Sequence, residues 1–409
     1  MKAKKTVLKN GLRVVTVPMK GNPTVTVLVV VEAGTKYETP DNNGLSHFLE
    51  HMCFKGTNNR STRDIAYAIE TLGADTNAFT SYDYTGYYIK GKVRDVNEFL
   101  DIVSDVYLNS TFPVDEIQKE RGVICGEIDM VEDTPQRAIY YSFLESLYGK
   151  QPAGMTILGP KSNIHKFTRD DFVLYHKKHY TAGATAVVIS GDVDHTNMVK
   201  QVTKLFSGIP HKPAVKKPAL KKIAGVKKIT KTKKTDQSHI IVGTRLPAAD
   251  HADIPALTIA SCILGNGMGS RLFIKLREEM GAGYYVYSSI ATSDDGSHFV
   301  IATGTEPKRV PEILNAINGE IKKLYQNQIP QSDIKRAKEY LIGRLYMGLE
   351  STDDVATQIG LDEILHQKLK TPQEIEKELR AVTISDVVRV TKKYLKFETF
   401  HQALVGPHK

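Results

Sequence analysis

Cysteine is scarce in this sequence. Cys53, Cys125 and Cys262 are the only three in 409 residues, and they form no C-x-x-C pair and no even framework. That excludes a disulfide-built scaffold and fits a reducing compartment. No run of about 18 apolar residues occurs, which excludes a membrane-spanning helix. The amino-terminal MKAKKTVLKNGLRVVTV has lysines but no apolar core and no small-residue cleavage site, so no signal peptide is expected. It reads as the first strand, entered through a turn at Asn10-Gly11. A cytoplasmic protein with no membrane partner is therefore expected. From Lys212 to Lys234 the chain lacks any acid, arginine or aromatic residue. The run contributes much of the net charge of +9. Without arginines and interleaved aromatics it is poorly equipped for base contacts, so no nucleic-acid partner is expected. It reads as an exposed connector followed by a charged edge strand.

What is present is ordinary for a globular protein: 41% hydrophobic and 25% charged residues. The length is too great for one core and suggests two or three domains. The segment 168-TRDDFVLYHKKHYTAGATAVVISG-191 resembles 383-TISDVVRVTKKYLKFETFHQALVG-406. Each has a threonine, an aspartate three residues later (Asp171, Asp386), a Lys-Lys pair and a closing glycine at the same separation. T-x-x-D before an apolar run is a helix capping signal. The offset is about half the chain, which points to duplication, with 210–222 as the connector. Residues 24–33 read as a β-branched strand, 45–55 and 62–73 as helices, 84–90 as a strand, and 95–109 and 113–131 as helices. Such mixing predicts an α+β fold with helices packed on one face of a sheet.

One stretch, 44-GLSHFLEHMCFKGT-57, carries His47, Glu50 and His51 as H-x-x-E-H. On a helix these three fall within a sector of about 100°. Histidines at i and i+4 can reach one metal ion. The alternative is a polar face with two solvated imidazoles. Yet Phe48, Leu49, Met52 and Phe54 leave little polar surface around them, and buried imidazoles need partners. A third ligand could come from 113-PVDEIQKERGVICGEIDM-130. There Glu116, Glu120 and Glu127 line the border of the stripe Ile117, Ile124, Ile128. Gly122 and Gly126 each cost about 1 kcal/mol against alanine in a helix interior. They make sense if this helix approaches another closely.

Taken together, H-F-L-E-H-M-x-F-K-G-T, the K-E-R-x-V-I-x-x-E-I segment and 264-LGNGMGSRLFIKLREEMGAGYYVYS-288 resemble the pitrilysin/insulinase family of inverted zincins. The chain is similar to the short members that include the β subunit of mitochondrial processing peptidase and its bacterial relatives. The resemblance covers nearly the whole chain. It implies two similar α+β domains, each a mostly antiparallel sheet with helices on one face: an N-terminal zinc domain (1–209), a linker (210–222) and a homologous domain without zinc (223–409). It implies one Zn²⁺ per chain on His47, His51 and Glu127, with Glu50 as general base and Glu120 supporting the site. Arg277 and Tyr284 would meet the substrate and stabilise the oxyanion, although Met280-Gly281-Ala282-Gly283-Tyr284 departs from the commoner R-G-L-A-Y. Asn77, Ala78, Phe79 and Thr80 would form an edge strand that receives an extended peptide. The implied activity is zinc endopeptidase action on peptides or unfolded segments. Long family members have four such domains and this chain has two, so a closed chamber implies a homodimer. The alternative is a non-catalytic scaffold subunit, which typically loses zinc or base residues.

Overall fold

The computed structural model describes residues 2–366 and 368–408. The first half runs β1 (Lys4–Val7), β2 (Arg13–Pro18), β3 (Thr24–Val31), α1 (Leu45–Cys53), α2 (Thr62–Thr71), β4 (Asp75–Thr80), β5 (Thr85–Lys92), α3 (Val96–Leu108), α4 (Val114–Asp133), α5 (Pro135–Tyr148), α6 (Lys161–Lys166), α7 (Arg169–His179), β6 (Thr185–Gly191) and α8 (His195–Leu205). The second half runs β7 (Lys228–Thr232), β8 (Ser238–Leu246), α9 (Ile254–Gly265), α10 (Arg271–Phe273, continuing as a wider π-type turn to Glu279), β9 (Tyr285–Ala291), β10 (Ser297–Thr305), α11 (Val310–Tyr325), α12 (Gln331–Met347), α13 (Thr352–His366), α14 (Pro372–Ala381), α15 (Ile384–Tyr394) and β11 (His401–Gly406). The elements expected from the sequence are present, with ends shifted by a few residues. The amino terminus makes two strands rather than one. Gly11, at φ +92°, turns β1 back onto β2 as an antiparallel pair.

The duplication is visible in the strand pairing. One sheet has the order β1-β2-β6-β3-β5-β4, the other β7-β11-β8-β10-β9. In the first, β6 lies parallel to β2 and antiparallel to β3. In the second, β11 lies parallel to β7 and antiparallel to β8. All other pairs are antiparallel. Both repeated T-x-x-D segments form full capping boxes, Thr168 with Asp171 and Thr383 with Asp386. Each box opens a helix (α7 or α15) that leads into the corresponding strand.

The two compact units do not follow chain order. One comprises 1–129, 155–218 and 347–371; the other comprises 130–154, 219–346 and 372–409. Each sheet thus receives a helix from the far half of the sequence. In the first unit, Val355, Ala356 and Ile364 of α13 join Leu28, Val30, Val15, Val17 and Val188 in one apolar cluster. The alternate residues Val25, Val27, Val29 and Val31 of β3 are also fully buried, so both faces of that strand are covered. In the second unit, Ile240, Val242, Phe299 and Ile301 pack with α9, α11 and α15. The opposite face receives α5: a Cβ on Gly243 would come within 2.9 Å of the Phe143 ring. Among the described residues no helix is long and apolar enough to cross a membrane.

The connector has no regular structure and is mostly exposed, but parts are tied down. Lys217 pairs with Asp83, and both backbone groups of Lys221 bond the Gln151 amide. Limited trypsin digestion is therefore expected to cut first after the exposed Lys216 or Lys222, splitting the chain near its middle. Earlier cuts elsewhere on a gel would contradict a connector in this stretch.

Candidate metal centre

Helix α1 begins without an ordinary capping residue. Gly44 stands at φ +98°, and a Cβ there would lie 2.6 Å from the Leu158 carbonyl oxygen. The amides of Gly44 and Ser46 instead donate to the buried carboxylate of Glu38, at 3.0 and 2.7 Å. A carboxylate suits the positive end of a helix. Burial nevertheless pushes the Glu38 pKa upward, against the bonds from Asn43, Ser46 and Gly44. Below this cap, Phe48, Leu49 and Met52 are fully buried, and Phe48 meets Phe172 of α7 edge-on at 4.9 Å. That burial fixes the helix rotation, so His47, Glu50 and His51 share the remaining face.

Helix α4 buries Ile117, Ile124 and Ile128 and brings its carboxylates to that face. The Oε2 of Glu127 lies 3.6 Å from His47 Nε2 and 3.7 Å from His51 Nε2. These separations exceed a good hydrogen bond. They approach the roughly 3.3 Å between neighbouring donors set tetrahedrally about 2.05 Å from zinc. His47, His51 and Glu127 each direct a ligand atom into one group less than 4.8 Å across. Glu120 sits behind His51, its Oε1 2.9 Å from Nδ1. With the proton on Nδ1, the Nε2 lone pair is free for a metal. The donor set therefore fits Zn²⁺. Burial and then the neighbouring His51 push His47 down to about 3, which keeps its imidazole in the neutral, ligating form. For His51 burial acts downward, but the bond to Glu120 and the charges of Glu50 and Glu127 outweigh it, and its pKa rises. The bond from His51 holds Glu120 below the usual carboxylate range despite burial.

Glu50 is set apart from the trio by its partner. Its Oε2 accepts from the Thr80 hydroxyl at 2.9 Å. Burial pushes its carboxyl up, while His51 and Thr80 pull it down. Thr80 ends β4, which among the described residues is an edge strand paired only with β5. Asn77 is exposed, and Ala78, Phe79 and Thr80 are half-buried. Among the described residues the strand thus has one side without a neighbour, next to Glu50.

Arg277 and Tyr284 lie in the second unit. Arg277 is exposed in the π-type turn, and its Nη1 donates to the Tyr284 carbonyl at 3.1 Å. Tyr284 is 53% exposed and enters β9 through a bond from its amide to the Gly304 carbonyl. Gly122 and Gly126 do not serve a close helix contact: a Cβ at either would meet nothing within 4 Å. Nothing in the structure explains them.

Residues 13–161 match the family model described as insulinase (peptidase family M16), and 166–341 match that described as the peptidase M16 inactive domain. An uncharacterized zinc protease, YmxG, of Bacillus subtilis is 33% identical over 405 residues, spanning 98% of this chain and 97% of that one. The chain belongs to peptidase family M16. An uncharacterized zinc protease of Rickettsia bellii is 31% identical, over 98% of this M16 chain and 97% of its own length. Among solved structures, a protease from Helicobacter pylori superposes with a TM-score of 0.91 at 25% identity, covering 99% of both chains. The segment matched as inactive contains α9, IPALTIASCILG, which occupies the place after β8 that α1 occupies after β3. It has no ionisable residue apart from its cysteine.

Proposed function

We propose that this chain is a zinc-dependent endopeptidase acting on peptides or unfolded polypeptide segments. The observation that carries the reading is the convergence of two imidazole nitrogens and a carboxylate oxygen beside a separate carboxylate, Glu50. His47, His51 and Glu127 would hold one zinc per chain. When bound, the ion supplies Lewis acidity to the scissile carbonyl and to the attacking water. Glu50, steadied through Oε2 by Thr80, takes the water's proton and returns it to the leaving amine. An extended substrate adds as a strand to the free edge at Asn77, Ala78, Phe79 and Thr80, which reads backbone more than side chains. Arg277 and Tyr284 supply donors for the developing oxyanion. We place the reaction in the cytoplasm, in a chamber made by a homodimer, with no nucleic-acid or membrane partner. A scaffold role is the weaker reading, because the ligands and Glu50 are all retained.

A peptide-library digest read by mass spectrometry tests this. Cleavage abolished by a chelator and restored by zinc is expected; chelator-insensitive cleavage, or none with zinc bound, would count against it. Metal content gives a second check. Purified protein should carry about one zinc per chain, and His51→Ala and Glu127→Gln should lose most of it. Full retention in both would remove these residues from the ligand set.

A further inference from the structure

None of the roles above uses Lys55, yet its ammonium lies 2.7 Å from Glu120 Oε2. The other oxygen of the same carboxylate is the one 2.9 Å from His51 Nδ1. The two bonds divide the carboxylate between them: one oxygen for Lys55, one for the imidazole. Glu120 is only 5% exposed, so few other partners can reach it. Its place on α4 is seven residues, about two turns, before Glu127, which puts both carboxylates on one side of the helix.

The backbone around Lys55 is built to hold this arrangement. The Lys55 amide closes α1 on the Met52 carbonyl at 3.1 Å. Gly56 follows at φ +117°, a region that disfavours any side chain, and its carbonyl accepts from the Thr111 amide at 3.1 Å. Thr57 forms a β-bridge with Ser110. The end of α1 is thus pinned to the entry of α4, and the Lys55 side chain spans from one helix to the other.

We propose that Lys55 is a positioning residue of the metal centre, fixing the Glu120 carboxylate so that it orients His51 with Nε2 toward Glu127 and His47. A carboxylate held by one bond swivels about its last carbon–carbon bond. A second, charge-assisted bond on the other oxygen removes that freedom. Groups that orient a ligating imidazole are commonly worth 10- to 100-fold in metal affinity or activity. The inference rests on the reading of His51 as a zinc ligand.

The test uses full-length, zinc-loaded Lys55→Met, Lys55→Arg, Glu120→Gln and the Lys55→Met/Glu120→Gln double variant. Three readouts are taken: the rate of zinc transfer to a chromogenic chelator, kcat and KM on one peptide, and the melting midpoint of metal-stripped protein. Lys55→Met should release zinc about 10-fold faster and lose kcat about 10-fold with little change in KM. Lys55→Arg should recover most of both. The double variant should be no worse than Glu120→Gln alone, because both changes break one relay. Wild-type zinc transfer in Lys55→Met would overturn the proposal, including when its metal-free midpoint falls, since that pattern belongs to a cation that merely stabilises the helix end. Fully multiplicative effects in the double variant would overturn it as well. Zinc retained in His51→Ala is a different result: it removes the ligand reading on which the proposal stands, whatever Lys55→Met does.

Discussion

Replacing Glu50 by glutamine is expected to leave zinc in place and to slow peptide hydrolysis by at least about 100-fold, the usual effect of removing an acid–base group. Glutamine keeps the shape of glutamate and can still accept from the Thr80 hydroxyl, the one hydrogen bond that the Glu50 side chain makes among the described residues. What it cannot do is take a proton from water at neutral pH. Folding should not suffer. Burial raises the pKa of Glu50, so in the metal-free protein its ionisation opposes the folded state. That contribution is most favourable below the ordinary carboxylate range and is lost as pH rises through the raised value. A neutral amide has no such dependence. Metal-stripped Glu50→Gln should therefore melt no lower than the parent at neutral pH, and its midpoint should fall less as pH rises from acid. Zinc analysis, a melting series and peptide turnover together separate the outcomes. Turnover near that of the parent with zinc bound would remove Glu50 from the proton-transfer step.

Much of this centre can be read from the sequence, for reasons specific to the two helices involved. The apolar residues around His47, Glu50 and His51 leave only one polar sector on α1, and Ile117, Ile124 and Ile128 set the rotation of α4 in the same way. Spacing alone leaves Glu116, Glu120 and Glu127 equivalent. The family resemblance picked out Glu127, and the structure brings that residue to both imidazoles. The Thr80–Glu50 and Lys55–Glu120 bonds were not legible, because each joins segments about 30 or more residues apart. Neither pair repeats a local motif. Glu38 is illegible in the sequence for a related reason: it caps α1 from seven residues before the helix begins, through a turn, rather than from the usual adjacent position.

The placement of α5 and α13 was hidden in another way. An amphipathic pattern tells which face of a helix is buried but not which sheet buries it. In α13 even that face is mixed, since Val355, Ala356 and Ile364 share it with the fully buried Glu363. That carboxylate is matched by Lys5 at 2.5 Å, from the opposite end of the chain. A buried charge without such a partner would be strongly unfavourable, and local sequence does not reveal the partner. Consequently the two compact units interleave chain segments, whereas boundaries at 209 and 223 follow chain order.

Mixing two inactive variants, Glu50→Gln and Tyr284→Phe, is expected to restore activity to about a quarter of the parent value once subunits exchange. To the proposed homodimer this adds one further proposal, that the tyrosine of one protomer serves the zinc centre of its partner, an exchange that a two-fold interface permits. Each mixed dimer then holds one centre with intact Glu50 and intact Tyr284, and one with neither. Random exchange makes half the dimers mixed, and half the centres in those are whole. Tyr284 suits such a role: it is half-exposed, and its hydroxyl has no hydrogen-bond partner among the described residues. Tyr284→Phe alone must first be impaired, by about 100-fold if its hydroxyl donates to the oxyanion. Its zinc content should be unchanged, because the substitution lies in the second compact unit while the proposed ligands lie in the first. Exchange itself can be followed by mass spectrometry of a heavy-isotope-labelled partner. Full exchange with no recovery would mean that each protomer uses its own tyrosine, and a Tyr284→Phe enzyme as active as the parent would take the hydroxyl out of the reaction.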